Sequence, residues 1–235
     1  MNALKPASAD PAASLAAVRA RIEAACAAAG RPPGCVALVA VTKAFGPEAI
    51  RAALAAGQRD FGENYVQEAL AKVAALPRSG IRWHYLGPLQ SNKTADVARD
   101  FDWVHSVARE KIARRLSGQR PDSLPPLNVC VQVNISGESS KSGVAPEAAG
   151  ALCRAVAALP RLRLRGLMAI PAPAKNGDSP LRAPYRKLRE LYEALRREGL
   201  ELDTLSAGMS DDLEAAIAEG STMVRIGTAI FGKRA

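Results

Sequence analysis

The chain has 235 residues, of which 48% are hydrophobic and 23% are charged, a composition typical of a folded globular protein. Its longest apolar run, Cys35–Val41, has seven residues and is too short to span a membrane, and charges interrupt the Ala-rich N-terminus before a secretory core forms. The net charge of +9 fits a nucleic acid, an anionic lipid or a small anionic ligand, and does not choose among them.

Cysteine and histidine usage indicates the cytoplasm and argues against a metal centre. The spacing of Cys26, Cys35, Cys130 and Cys153 matches neither paired metal knuckles nor a redox CxxC motif. The chain has two histidines and no HExxH motif. We therefore expect reduced thiols, no bound metal and a cytoplasmic location.

The first predicted element is a helix over residues 10–30. Asp10 suits the N-cap, Pro11 suits the first helical position, and Gly30 followed by two prolines ends the helix. We expect this extra helix to cover one end of the fold.

Eight β-rich runs then alternate with amphipathic helical stretches. The predicted strands are Val36–Val41, Asp60–Gly62, Trp83–Leu86, Trp103–His105, Asn128–Val133, Leu164–Ile170, Thr204–Ser206 and Met223–Ile226. Their starts recur roughly every 27 residues, close to the length of a βαβ unit. This pattern predicts an α/β fold, a single (β/α)8 TIM barrel over residues 1–235. Residues 171–184, PAPAKNGDSPLRAP, are too rich in proline and short polar residues to pack, and we expect a mobile loop there.

An open doubly wound sheet shows the same alternation of strands and helices. Its nucleotide-binding fingerprints, GxGxxG and GxxxxGK[ST], are absent from the sequence. Because TIM barrels place their chemistry at the C-terminal ends of the strands, the candidate site residues are those that follow each apolar run.

Lys43 follows the first predicted strand, on the same alternating face as Val39 and Val41. If that face points into the barrel, burial disfavours the ammonium and leaves a nucleophilic nitrogen able to form a Schiff base with an aldehyde. A lysine after an apolar strand is more often a salt-bridged structural residue. A second observation is therefore needed.

The ends of the last two predicted strands supply one. Ser206 and Gly208 follow strand seven, and Gly227 and Thr228 follow strand eight. Backbone N–H groups and hydroxyls at such loops converge on anions, and TIM barrels frequently bind phosphate in these two loops. Turn glycines and a helix cap explain each loop singly, so it is their coincidence that indicates a phosphate site.

Arg225 lies one strand from Lys43 around a closed barrel, on the face shared with Met223 and Gly227. An arginine that faces the interior is costly unless it binds a partner. A Schiff-base lysine, a phosphate site and this arginine match the parts of pyridoxal 5'-phosphate (PLP), with Arg225 donating to the pyridine nitrogen. Because arginine keeps its proton, that nitrogen stays unprotonated and the ring is a poor electron sink.

Seven segments together resemble the YggS/PROSC family of pyridoxal phosphate homeostasis proteins. They are VALVAVTK, GQRDFGENYVQEA, WHYLGPLQSNK, VNISGESSKSG, GLMAIP, LSAGMSDDLEAAI and VRIGTAIFG. The resemblance implies a (β/α)8 barrel similar to the N-terminal domain of alanine racemase, with PLP bound as a Schiff base on Lys43. It also implies that Ser206, Gly227 and Thr228 hold the phosphate and that Arg225 meets the pyridine nitrogen. The family is regarded as buffering PLP or handing it on, with no firmly assigned reaction.

Three further residues keep two interpretations each, and a fourth, His105, keeps one. Asn64 is placed to reach the phenolic oxygen of the cofactor, or is a turn residue. His84 lies near the cofactor ring or is a hydrogen-bonded residue at the barrel rim. His105 is similarly placed on strand four and is interpreted as a structural residue. Lys141 receives the aldehyde during transfer or is a solvated loop lysine.

Three functions follow from these observations. The favoured one is a monomeric PLP carrier without turnover, which delivers cofactor to apo forms of PLP-dependent enzymes. The second is an amino-acid racemase, weakened by the unprotonated pyridine and by the lack of a second base near the end of the sequence. The third, a basic nucleic-acid binder, rests on net charge alone, because the arginine-rich runs alternate with Leu and Glu on predicted helices and lack interleaved aromatics. We therefore expect neither nucleic acid nor membrane as a partner.

Overall fold

The structure is a computed structural model that describes residues 10–77, 80–138, 141–172 and 182–232. The strands are β1 Ala37–Val41, β2 Asp60–Glu63, β3 Arg82–Tyr85, β4 Trp103–Val107, β5 Leu127–Gln132, β6 Leu162–Met168, β7 Thr204–Ser206 and β8 Met223–Ile226. Each strand pairs in parallel with the next, and β8 pairs with β1 to close the barrel. The predicted (β/α)8 barrel is confirmed, and every strand bound lies within two residues of its prediction.

Helices separate successive strands and form the outer layer. In the described ranges they are α1 Pro11–Ala28, α2 Pro47–Ala55, α3 Val66–Ala75, α4 Thr94–Asp100, α5 Glu110–Gln119, α6 Pro146–Ala157, α7 Ala183–Arg197, α8 Leu213–Ala218 and α9 Thr228–Phe231. A 3₁₀ turn at Ser91–Lys93 precedes α4. No helix in these ranges combines the length and apolarity that crossing a membrane requires.

The N-terminal helix begins as predicted but lies elsewhere than expected. The carboxylate of Asp10 accepts the N–H of Ala12, which caps α1. Instead of covering one end of the barrel, α1 packs beside α2, α8 and α9 in the outer layer. The reason is that α9, which follows β8, has four residues, too few to cover the seam between β8 and β1. The apolar stripe of α1 covers that seam, with Leu15, Val18 and Ile22 buried.

The two faces of the strands contribute to two separate apolar clusters, one outside the barrel and one inside it. Their outward faces pack under the helices in one large cluster. A smaller cluster fills the centre of the barrel and consists of Val39, Trp103, Cys130, Met168 and Met223. Met223 therefore faces inward, as the alternation along β8 predicts.

The predicted loop at 171–184 is described only at its two ends. Residues 173–181 lie outside the described residues, so the expectation of mobility stays a prediction for them. The last two residues of the predicted loop belong to α7, which begins at Ala183 with Pro184 in its first turn. Proline is well suited to this position, since its missing N–H has no partner in the first turn.

Candidate functional site

A cleft of about 210 Å³ opens at the C-terminal end of the barrel, between the loops that follow β1, β2, β7 and β8. Five of the residues singled out in the sequence line it, namely Lys43, Asn64, Arg225, Gly227 and Thr228. Their neighbours in the wall include Val41, Phe45, Leu86, Ile170, Met209, Ser210 and Asp211. The fold thus brings an amine, an amide, a guanidinium and hydroxyl groups to one opening.

Lys43 lies in the turn between β1 and α2 and is half-buried. The next residue, Ala44, has a φ of +71°, in the left-handed region that costs a residue with a Cβ roughly 1–2 kcal/mol. Its N–H donates to Oε1 of Glu68 at 2.6 Å, which helps to hold the turn in this shape. Backbone strain beside the candidate lysine is therefore offset by a hydrogen bond to a charged acceptor.

A buried ionic cluster forms hydrogen bonds to the backbone of the same turn. Lys72 is fully buried and lies 2.7 Å from Glu63 and 2.5 Å from Glu68. Its ammonium also donates to the carbonyl of Thr42 at 2.8 Å. Burial raises the pKa of Glu63 to about 7, against the opposing charge of Lys72. The cluster anchors the backbone on both sides of Lys43 and was not predicted from the sequence.

Asn64 directly follows β2 and is held by a close backbone approach. Gly87, which lies just beyond β3, faces the carbonyl of Asn64, where a Cβ would lie 2.1 Å from the oxygen. Only glycine fits there. The carbonyl of Gly87 in turn accepts the hydroxyl of Ser106 at 2.6 Å. Asn64 is thereby fixed at the edge of the cleft.

The loops after β7 and β8 meet at the other side of the cleft. Gly227 is the N-cap of α9 and Thr228 its first residue, and the hydroxyl of Ser210 accepts the N–H of Ala229 in the first turn of that helix at 3.3 Å. Hydroxyl groups and N–H groups therefore converge here. The carboxylate of Asp211 also lines the cleft, but the residue is exposed to solvent.

Two residues predicted for the phosphate site lie beneath the cleft instead of lining it. Ser206 is fully buried and directs its hydroxyl into the barrel. Gly208 has a φ of +97°, and a Cβ there would lie 2.7 Å from the Cβ of Ala216 in α8. The side chains of this loop that do line the cleft are those of Met209, Ser210 and Asp211. The sequence alone did not distinguish Ser206 from Ser210.

Arg225 lies in β8 beside Val39 of β1 and is almost fully buried. Its guanidinium donates to the hydroxyl of Ser206 at 2.8 Å and to the carbonyl of Ala169 at 3.0 Å. Burial lowers the pKa of Arg225 from its ordinary value, yet a guanidinium remains protonated in proteins. A fixed cation therefore lines the cleft.

The histidines and Lys141 occupy other positions. His84 and His105 are fully buried inside the barrel and do not line the cleft; His84 is hydrogen-bonded, as its second interpretation expects, but inside the barrel and not at its rim. Lys141 forms an ion pair with Glu138 at 2.9 Å and donates to the carbonyl of Ile170 at 3.2 Å. Because Ile170 lines the cleft, the amine of Lys141 lies next to its rim.

Comparison with known proteins places this geometry in a family. Residues 13–235 match the sequence pattern of the family described as "Alanine racemase, N-terminal domain". The chain is 60% identical over 221 residues to a pyridoxal phosphate homeostasis protein of Pseudomonas aeruginosa, with 94% of both chains covered. It is 53% identical over 228 residues to the protein of that name from Escherichia coli K12, covering 96% of this chain and 97% of the relative.

A solved structure resembles the fold over the same extent. PipY of Synechococcus elongatus, solved with PLP bound, aligns with a TM-score of 0.79 at 36% identity. The alignment covers 94% of this chain and all of that one. The chain therefore belongs to the alanine racemase N-terminal domain family and, within it, to the group of pyridoxal phosphate homeostasis proteins.

Proposed function

We propose that this protein binds PLP in the cleft as a Schiff base on Lys43 and acts in PLP homeostasis as a carrier of the cofactor. The observation that supports this most strongly is that Lys43, Arg225 and the loops that carry Ser210 and Thr228 meet at one opening. Relatives at 60% and 53% identity are named for PLP homeostasis. A relative of known structure at 36% identity has PLP bound.

The residues present fit this cofactor in chemistry and in arrangement. When bound, PLP supplies an aldehyde that condenses with a lysine amine, with loss of water, to form a Schiff base. In the proposal Lys43 provides the amine, while Ser210, Thr228 and nearby N–H groups bind the phosphate. Arg225 donates to the pyridine nitrogen, and Asn64 faces the phenolic oxygen. Gly227 lets β8 pack closely against β1 at the cleft, since a Cβ there would lie 3.2 Å from the carbonyl oxygen of Val41.

A second function, an amino-acid racemase, is favoured only by the family pattern. An unprotonated pyridine is a weaker electron sink for the carbanion of racemisation, and Arg225 can only donate to that nitrogen. It also requires an acid or base on each face of the substrate. Among the described residues that line the cleft there is neither tyrosine nor histidine to act as the second base. Binding without turnover is therefore the preferred proposal.

The surface charges support a small ligand over a nucleic acid as the partner. Many of the arginines form ion pairs on the surface, among them Arg21 with Glu214 and Arg161 with Asp122. Such pairs reduce the positive field available to a phosphate backbone. We propose a cytoplasmic monomer whose recipients are apo forms of PLP-dependent enzymes.

The function is tested by titration and by assay for turnover. Purified protein titrated with PLP should show saturable Schiff-base absorption in the wild type and none in Lys43→Ala. Prolonged incubation of the loaded protein with L-alanine should yield no D-alanine above that formed by free PLP. D-alanine formation that depends on the protein and on Lys43 would favour the racemase. Transfer to an apo-enzyme in the presence of an aldehyde scavenger separates directed delivery from release.

A further inference from the structure

A chain of hydrogen bonds crosses the interior of the barrel from one end to the other. It begins at Arg225 in the cleft, passes through Ser206 of β7, His105 of β4 and His84 of β3, and ends at Asp60 at the start of β2. Successive links are 2.8 Å to the hydroxyl of Ser206, 2.8 Å to His105 Nδ1, 2.9 Å from His105 Nε2 to His84 Nδ1, and 2.9 Å from His84 Nε2 to Asp60 Oδ1. We call these five side chains the barrel relay.

Burial makes the barrel relay electrostatically unusual. Ser206, His84 and His105 are fully buried, and Trp103 stacks on His84 with ring centroids 5.4 Å apart. Desolvation lowers the pKa of both histidines, so both are neutral near pH 7. Buried polar groups in such surroundings interact more strongly than in water.

The direction of every hydrogen bond follows from these charge states. The carboxylate of Asp60 can only accept, so His84 donates to it from Nε2. A neutral His84 then accepts at Nδ1 from Nε2 of His105. A neutral His105 in turn accepts at Nδ1 from the hydroxyl of Ser206, which itself accepts from the guanidinium of Arg225. All four bonds therefore point from the cation in the cleft to an anion at the opposite end.

The far end of the barrel relay is a stable anion. Arg82 binds both carboxylate oxygens of Asp60, each at 2.6 Å. Burial alone would raise the pKa of Asp60, but the hydrogen bonds from Arg82 and His84 lower it to about 2. Asp60 therefore remains an acceptor at neutral and mildly acidic pH, and it holds the histidine tautomers in one arrangement.

We propose that Asp60, His84, His105 and Ser206 are positioning residues that orient Arg225 and stabilise its positive charge in the cleft. This rests on the proposed function, since the group that meets Arg225 is the pyridine nitrogen of PLP. Ser206 and the carbonyl of Ala169 fix the plane of the guanidinium. The aligned hydrogen bonds end on the Asp60 anion and stabilise the protonated guanidinium, which can only donate and therefore favours an unprotonated ring nitrogen. A residue at the opposite end of the barrel thus tunes the site.

Nuclear magnetic resonance tests the barrel relay without any cofactor. The chain has two histidines, so ¹⁵N-histidine labelling gives four ring-nitrogen signals, which can be assigned completely. The wild type should show protonated Nε2 and unprotonated Nδ1 in both rings. Asp60→Asn should move the signals of His105, which does not touch residue 60, and Ser206→Ala should move His105 Nδ1. A different tautomer of either histidine in the wild type overturns the proposal.

The matched control is Asp102→Asn. Asp102 lies at the same end of the barrel and accepts the N–H of Trp83 at 2.8 Å, but is not part of the barrel relay. Its replacement removes the same charge and retains an acceptor. If Asp60→Asn moves the signals of His105 no more than Asp102→Asn does, and Ser206→Ala leaves them unchanged, the proposal is overturned.

The second readout is the bound cofactor. Ser206→Ala should weaken PLP binding about tenfold, as expected for loss of one hydrogen bond to a charged group, and should shift the Schiff-base absorption maximum. Asp60→Asn should weaken binding about threefold, and Asp102→Asn should match the wild type. Unchanged binding and absorption in both relay variants overturn the positioning role, even if the histidine signals move. A wild type that binds no PLP contradicts the proposed function instead, while the histidine signals still decide whether the chain exists.

Discussion

The ammonium of Lys72 lies 2.8 Å from the carbonyl oxygen of Thr42, so a fully buried cation anchors the residue that precedes Lys43. The same ammonium pairs with Glu63 and Glu68. Glu68 also holds the N–H of Ala44 on the other side of Lys43. An ionic cluster inside the protein thus fixes the backbone from which the candidate Schiff-base amine projects.

Lys72→Met should destabilise the protein by about 3–5 kcal/mol, because it leaves buried carboxylates without their cation. The retained Lys43 should also bind PLP more weakly, since the turn that carries it loses its anchor. Urea unfolding and PLP titration measure the two effects. The control is Lys111→Met, at an exposed position of α5, which should change stability by less than about 0.5 kcal/mol. Equal effects of the two substitutions would contradict the anchoring role.

The raised pKa of Glu63 predicts how stability depends on pH. Between its ordinary value of 4.5 and about 7 the folded protein keeps a proton on Glu63 that the unfolded chain releases. The contribution of this group is therefore fully present below pH 4.5 and is lost as the pH rises to about 7. Glu63→Gln should flatten this part of the curve. Parallel curves of unfolding free energy against pH for the two proteins would show that Glu63 does not titrate there.

Ser210→Ala should weaken binding of PLP about tenfold or more, because one hydrogen bond to a charged phosphate is lost. Binding of pyridoxal, which has no phosphate, should not change. The matched control is Ser136→Ala, at a loop serine that accepts the N–H of Ala172. The measurement is the dissociation constant of each variant for PLP and for pyridoxal. An equal loss for PLP and pyridoxal would place Ser210 away from the phosphate.

The fold follows from features that the sequence displays locally. Apolar runs bounded by turn residues locate all eight strands, and their spacing matches the βα repeat. The position of α1 was predicted wrongly because it depends on α9 being too short to cover the seam beside it. That length is visible only once the last helix is seen to end at Phe231.

The site was predictable where strand alternation decides it, and unpredictable where loops and pairings decide it. Lys43 and Arg225 follow from the inward face of β1 and β8. Ser206 and Ser210 are equally plausible as anion ligands in the sequence, because the turn between them determines which hydroxyl faces the cleft. The contact between His84 and His105 requires the register of two strands, which sequence patterns do not specify. Lys72 resembles a surface lysine, and its spacing of four from Glu68 was the available signal.

The central claim is that Lys43 forms the covalent bond to PLP. Reduction of the loaded protein with borohydride, followed by peptide mass mapping, fixes the cofactor on whichever lysine binds it. We expect one label, on the peptide that contains Lys43, and its loss in Lys43→Ala but not in Lys141→Ala. Because Lys43 is only half-buried, Lys43→Ala should unfold at nearly the same temperature as the wild type. A label on Lys141, or labels spread over exposed lysines and unaffected by Lys43→Ala, would contradict the account.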